Sequence, residues 1–349
     1  MKDEGRNVTI YDVAKRASTS ASTVSRVLNN TGYPVRETLR QSILTAAHDL
    51  GYVPNLVAKS LKSNKTKDIG VIIPTITNPF YSSVILGVEE EANKCGYNIL
   101  LCNSSRDVEK EKKYIQSLYQ KQIRGFIISS VAQKKDNVFA SLHKDTHLVL
   151  LDQVVSDVEC SRINFDCQKG AYMAVEHLIK NGHEKIAFIS TPLTRWTRKE
   201  IFKGYKKALK AFNLPLNEDY LMILNSEEDS DVEGFEFKTG RLSAEMFVSK
   251  QVDATAVFAV NDMTAFGFIQ EVTKLGKKVP KDVSIVGFDD ISFASMFTPA
   301  LTTIRYPCYE IGNLAAKLLF EKLSKPEEFD VSLYLEPKLV IRDSVKKLG

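Results

Sequence analysis

The chain has 349 residues, 44% of them apolar and 26% charged, which excludes a disordered or fibrous protein and leaves room for two or three packed domains. A net charge of +4 conceals an asymmetry: residues 1–67 carry 11 Lys and Arg against 5 Asp and Glu, while the remainder carries 36 against 38. A basic end on a near-neutral body points to a polyanion bound at one end.

The first elements are helical. In TIYDVAKRASTSASTVSRVLN, Ile10, Val13, Ala14 and Ala17 share one face at helical spacing. Thr9 stands as an N-cap, with Asp12 three residues on as the carboxylate of a capping box. Ser18, Thr19 and Ser20 form a polar turn that can cap a second helix over 21–29, whose inner face is Val24, Val27 and Leu28. Short hydroxyl side chains let the outer face of that helix approach phosphates. Arg26 has the reach and planar fork to pair with a guanine. Two short helices across a tight turn read as a helix-turn-helix. After a loop broken by Gly32 and Pro34, a third helix would bury Leu39, Ile43, Leu44, Ala47 and Leu50. Residues 55–60 can start a short helix, too short to hold alone. A polar linker closes the head near residue 67.

From residue 68 short apolar runs alternate with amphipathic stretches. Strands are expected at 69–74, 98–102, 125–130 and 147–152, with helices at 80–95 and 109–120. A second series has helices at 170–180, 199–212, 239–249 and 264–275 between strands at 185–190, 254–260 and 283–290. Fully apolar strands alternating with helices indicate parallel sheets covered on both faces, here in two α/β lobes. The end, with a strand at 302–307, a helix at 311–323 and strands around Leu333 and Val340, is expected to complete both.

The segments TIYDVAKRASTSASTVSRVLN and LGYVPNLVAKSL together resemble the DNA-binding headpiece and hinge of the lactose-repressor family of bacterial transcription regulators. The resemblance spans nearly the whole chain, most specifically in the headpiece. It implies an all-α helix-turn-helix headpiece (1–52), a hinge helix and linker (53–67), and a two-lobed, periplasmic-binding-protein-like α/β body (68–349). The N-lobe is expected at about 68–166 and 302–329, the C-lobe at about 167–301 and 330–349. It also implies a repressor that works as a homodimer on double-stranded operator DNA and answers to a small-molecule effector. On this reading Ser20, Ala21, Ser22 and Arg26 face base edges, while Thr9, Tyr11, Thr23, Ser25 and Asn29 hold phosphates. The hinge, with Asn55 and Ala58, would fold when two copies pair over bent DNA. Leu61, on the same side as Ala58, would be the wedge that unstacks a base step.

In such a body ligands bind beyond the carboxyl ends of the strands, in the cleft. Phe80, Arg195, Thr197, Asn261 and Asp289 match effector-contacting positions of sugar- or purine-responsive members, and Tyr81 and Asp107 lie on loops of the same kind. Two departures stand out. Ile201 occupies the position, three before the Gly of IFKGY, where the family often has an Arg, so Arg198 or Lys199 would have to replace that grip. Thr298 stands where the branch controlled by a phosphorylated carrier protein has an Arg, which weighs against that alternative.

An enzyme on this body would need a GxSxG elbow, a phosphate loop or a GxGxxG after a strand, and the sequence has none, so neither catalysis nor a cofactor is expected. A two-lobed solute-binding protein would share the lobes, but the basic head and an opening segment without an apolar signal core argue against it. Five scattered cysteines with no CxxC pair suit reduced thiols. Cytoplasmic location and no membrane partner are the expectation. No heptad pattern precedes the end of the sequence, so a dimer is expected rather than a tetramer.

Overall fold

The computed structural model describes residues 8–29, 32–53, 66–133, 136–139, 142–152, 158–224, 234–327 and 329–348. The chain divides into two compact units, Met1–Thr66 and Lys67–Gly349.

In the first unit α1 (Ile10–Arg16), α2 (Ala21–Leu28) and α3 (Glu37–Asp49) close around Val13, Ala14, Ala17, Val24, Val27, Ile43, Ala46 and Ala47. The capping box at α1 is formed: the Thr9 N–H donates to the Asp12 carboxylate at 2.8 Å and its hydroxyl at 2.6 Å. Ser18, at φ +50°, turns the chain, and the Ser20 hydroxyl accepts the Thr23 N–H at 3.2 Å to cap α2. One expectation for α3 is corrected. Leu44 is 39% exposed and Ala46 is buried in its place, because the helix is rotated toward its small-residue side. Arg36, at the N-cap of α3, gives that helix no side-chain cap.

The second unit holds two six-stranded sheets. The first contains β1 (Asp68–Ile73), β2 (Asn98–Asn103), β3 (Gly125–Ile128), β4 (His147–Leu151) and β5 (Ser161–Phe165), and its order is β11-β5-β4-β3-β1-β2, where β11 is Ser332–Leu335. The second contains β6 (Ile186–Ser190), β7 (Leu221–Ile223), β8 (Ala256–Ala259), β9 (Ser284–Asp289), β10 (Thr302–Arg305) and β12 (Lys338–Val340), in the order β12-β10-β9-β8-β6-β7. Every pairing is parallel except that of β10 with β12. The central strands are buried along their whole length, as their apolar runs require of a sheet covered on both faces.

The helices of this unit are α4 (Pro79–Cys95), α5 (Val108–Gln120), α6 (Cys167–Lys180), α7 (Trp196–Ala211), α8 (Phe235–Ser249), α9 (Asp262–Lys274) and α10 (Cys308–Ser324). They pack in close pairs. A Cβ on Gly204 of α7 would stand 2.2 Å from the Gln168 carbonyl oxygen of α6, so only glycine permits that approach.

The expected lobe limits at 302 and 330 are corrected by the pairings. Strand β10 lies beside β9, in the second sheet, so the chain crosses after Arg305 and not before Thr302. Strand β11 lies beside β5, in the first sheet, so the last crossing follows Leu335. A short apolar strand reads the same whichever sheet it joins, and only its pairing partner decides. Strands β5 and β7 escaped the sequence reading because SRINF is interrupted by charge and LMI is three residues long. Helices α7 and α8 start earlier than their apolar periodicity, at Trp196 and Phe235.

Candidate functional site

On the head, Tyr11 is 73% exposed, and Ser20, Ser22 and Arg26 are also exposed on the surface of the helix-turn-helix. The hydroxyls are held among themselves: Ser20 Oγ lies 2.8 Å from Ser22 Oγ and 2.9 Å from Thr23 Oγ1. Asn29 donates to the Ser25 carbonyl at 2.7 Å, tying the end of α2. Arg26 places its guanidinium carbon 4.1 Å from the Tyr33 ring centroid. The sequence reading did not single out Tyr33; its signal was the one aromatic residue of the loop between the second and third helices. Ala21, expected at a base edge, is half-buried against the core of the head. Asn55, Ala58 and Leu61 lie outside the described residues.

In the body, the carboxyl ends of the strands and the first turns of the helices converge on one cleft of about 450 Å³, part of it open to solvent. Phe80, Tyr81, Arg195, Thr197, Asn261 and Asp289 all line it, joined by Asn78, Asp152, Cys167, Arg198, Ile201, Glu236, Phe288 and Tyr306. Asn78 caps α4 by accepting the Phe80 N–H at 2.9 Å, which fixes the Phe80 ring edge-on to Tyr81 and Tyr306 at 5.0 and 4.9 Å. Asn261 caps α9 through the Thr264 N–H at 2.9 Å and lines the cleft as well. Arg195, at the N-cap of α7, donates to the Tyr81 hydroxyl at 3.2 Å.

Asp107 is not among the lining residues. Its carboxylate accepts the Glu109 and Lys110 N–H groups at 2.7 and 3.1 Å and caps α5. Asp290 is turned to Arg305 and Arg342, at 2.7 and 2.6 Å. Trp196 is half-buried outside the lining. Of the two replacements for an Arg at Ile201, Lys199 is exposed and Arg198, one turn earlier on α7, enters the cleft.

The sequence reading did not single out Asp152, Glu236 and Tyr306: Asp152 ends the strand expected at 147–152, Glu236 lies in the stretch 225–238, acidic and unusually polar for this site, and Tyr306 falls in the strand expected at 302–307. Glu236 sits among arginines. It accepts from Arg106 at 2.5 Å and lies 4.0 Å from Arg198. Burial raises its carboxyl, yet Arg106 and Arg198 outweigh burial and hold it below its ordinary value. Asp152 is pushed up to about 6 by burial, and Asp289 well above its ordinary value by burial and by Asp262. Burial and the neighbouring Arg195 depress Arg198. Two buried atoms of the lining, Arg195 Nε and Arg198 Nε, have no hydrogen-bond partner among the described residues, while Asp152 and the Tyr306 hydroxyl pair with each other. A cleft lined by open donors and by carboxylates suits a small polar ligand.

No helix among the described residues is long and apolar enough to cross a membrane. Residues 9–55 match the family of bacterial regulatory proteins called lacI, and residues 175–345 match the periplasmic binding protein-like domain. The HTH-type transcriptional repressor PurR of Vibrio vulnificus is 35% identical over 343 residues, 98% of this chain and 99% of that protein. The lac repressor dimer bound to operator and the anti-inducer ONPF is 26% identical with a TM-score of 0.84, covering 98% of this chain and 100% of its own. A lacI-family regulator of Enterococcus faecium with bound ribose is 32% identical with a TM-score of 0.71, over 81% of this chain and 100% of its own. The chain belongs to the lacI family of bacterial regulatory proteins, with a helix-turn-helix head and a periplasmic-binding-protein-like body.

Proposed function

We propose that two copies of this chain repress transcription by gripping a near-palindromic operator, and that a small polar effector in the cleft sets their affinity for it. On the head, α2 enters the major groove. Arg26 reads a guanine, the hydroxyls of Ser20 and Ser22 approach neighbouring base edges, and Thr9, Tyr11, Thr23, Ser25 and Asn29 position the backbone. The hinge around Asn55, Ala58 and Leu61 is assigned the minor groove, with Leu61 as the wedge. The related lac repressor structure holds a dimer on operator with a small molecule, and the same assembly is proposed here, in the cytoplasm where such DNA lies.

The observation that carries effector control is the pair of buried, unpartnered Nε atoms, on Arg195 and Arg198, in the lining of one cleft. Leaving each of them unsatisfied costs about 1–3 kcal/mol, a cost that a bound ligand removes. A ligand with different affinities for the open and closed cleft would shift that equilibrium and with it the spacing of the paired heads. The test is fluorescence anisotropy of the full chain on labelled DNA from upstream of its own gene, titrated with sugars, sugar derivatives and nucleobases. The expected result is one duplex preferred over random competitor, with an affinity that changes in the presence of one metabolite class. The reading fails if no duplex is preferred with any metabolite present or absent.

A further inference from the structure

We propose that the effector is a small polyol carrying one oxyanion, a carboxylate or a phosphate, seated at the amino end of α7 between Arg195 and Arg198. This deepens the cleft reading and rests on it.

Helix α7 has 16 residues, no acidic residue in its first turn, and at its N-cap an arginine that accepts no hydrogen bond from the first-turn N–H groups. Such an end presents N–H donors and a partial positive charge to whatever lies before it. Before it lies the cleft, lined by Arg195, Thr197 and Arg198 themselves. Arg198 is 8% exposed, and its Nε has no partner; Arg195 Nε is buried and unpartnered too. Two guanidiniums and an uncapped helix end thus lie on one wall, spaced three residues apart on the same face of the helix.

The acidic groups of the cleft offset this charge only in part. Glu236 is shared between Arg106 at 2.5 Å and Arg198 at 4.0 Å. Asp152 and Asp289 are the remaining carboxylates, and burial raises both, Asp289 well above its ordinary value, which weakens Asp289 as a counter-ion. Arg198 pays an electrostatic penalty beside Arg195, and an anion between the two relieves it. Asp152 and the Tyr306 hydroxyl, paired with each other on other elements of the lining, have lone pairs left that suit neutral hydroxyl partners rather than a second anion. One anionic head and a hydroxylated remainder satisfy both.

The test measures binding of glucose, gluconate, glucose phosphate and inorganic sulfate to the full chain by calorimetry. The expected result is that gluconate or glucose phosphate binds at least roughly tenfold more tightly than glucose, the minimum for one charge-assisted hydrogen bond. Whichever of the two binds more tightly separates carboxylate from phosphate. Sulfate competes with it, and Arg198→Met removes the advantage. Sulfate competition on the unaltered chain stands as evidence even if the variant folds poorly. Glucose binding as tightly as its charged relatives, or a charged ligand indifferent to sulfate, overturns the oxyanion while leaving the cleft as the effector site. No response to sulfate or to either charged sugar overturns it as well. Charged-ligand binding unchanged in both Arg198→Met and Phe80→Ala would place the ligand elsewhere and overturn the cleft reading itself.

Discussion

Arg26 has two competing uses. In the free head it lies over Tyr33, an exposed cation–π contact worth about 0.5–1 kcal/mol. On the proposed reading, a bidentate pair with guanine, worth about 1–3 kcal/mol, would outweigh that contact and draw the side chain off the ring. Arg26→Ala should therefore lose roughly 1–3 kcal/mol of operator affinity and relax base choice at one position, measured against a panel of single-base operator variants. Equal weakening on every variant would assign Arg26 to phosphate instead. Asp152 offers a second test. It faces Arg195 on α7, Tyr306 and Cys308 after β10, Cys167 at the start of α6, and Asp289 at the end of β9. Its carboxyl sits at about 6 in the fold against an ordinary 3.8. Below 3.8 the group is protonated in both states; between there and 6 the folded chain holds the extra proton, so stability contributed by Asp152 is lost as pH rises through about 6. Asp152→Asn, which keeps the neutral form, should gain stability over the parent between about pH 4 and 6 and then level off, by about 3 kcal/mol in urea unfolding. A difference that does not change with pH would place the titration on another group.

Elements are fixed here by their ends and by close approach. The α1 capping box and the Ser20 cap fix the starts of the two helices of the head through contacts three residues apart. The same logic reassigns Asp107, which the sequence reading placed on the effector. As the cap of α5, its replacement by Ala should cost about 1 kcal/mol of stability and leave effector affinity unchanged, since it lies outside the lining. A loss of effector affinity at constant stability would return it to the site. Helix α7 is placed by Gly204, where an added Cβ would stand 2.2 Å from a backbone oxygen and 2.7 Å from the Ala171 Cβ. Neither neighbour is the free end of a flexible side chain. Gly204→Ala should cost roughly 1–3 kcal/mol or more in unfolding experiments and, by pushing α7 away from α6, should weaken effector binding through Arg195 and Arg198.

At the scale of the body, control needs two lobes that move against each other, joined by three crossings of the chain. A buried ion pair spans them. Arg106 follows β2 of the first sheet, and Glu236 opens α8 over the second. Arg106 also lies 5.2 Å from the Phe235 ring centroid. Removing one partner of a buried pair costs roughly 3–5 kcal/mol when nothing else compensates the charge left behind. Here Arg198 remains 4.0 Å away, so the cost of Arg106→Met should be smaller. The expected signature is a wider particle in small-angle scattering and faster effector release. Unchanged scattering and release would make the pair incidental to closure.

Much of this was legible in the sequence, because it is local. The head helices, their caps and the apolar strands of both lobes follow from spacing and end residues, which act over three or four positions. Of the seven effector positions expected, six line the cleft, since strand ends in parallel sheets share one edge. Asp107 did not, because an N-cap carboxylate and a ligand carboxylate look alike until the helix behind them is seen. The sheet that β10 and β11 each join, and the convergence of Asp152, Arg198, Glu236 and Tyr306, were decided by the tertiary structure alone. Those residues lie far apart along the chain, and their partners are chosen by packing between layers, which leaves no period in a single segment.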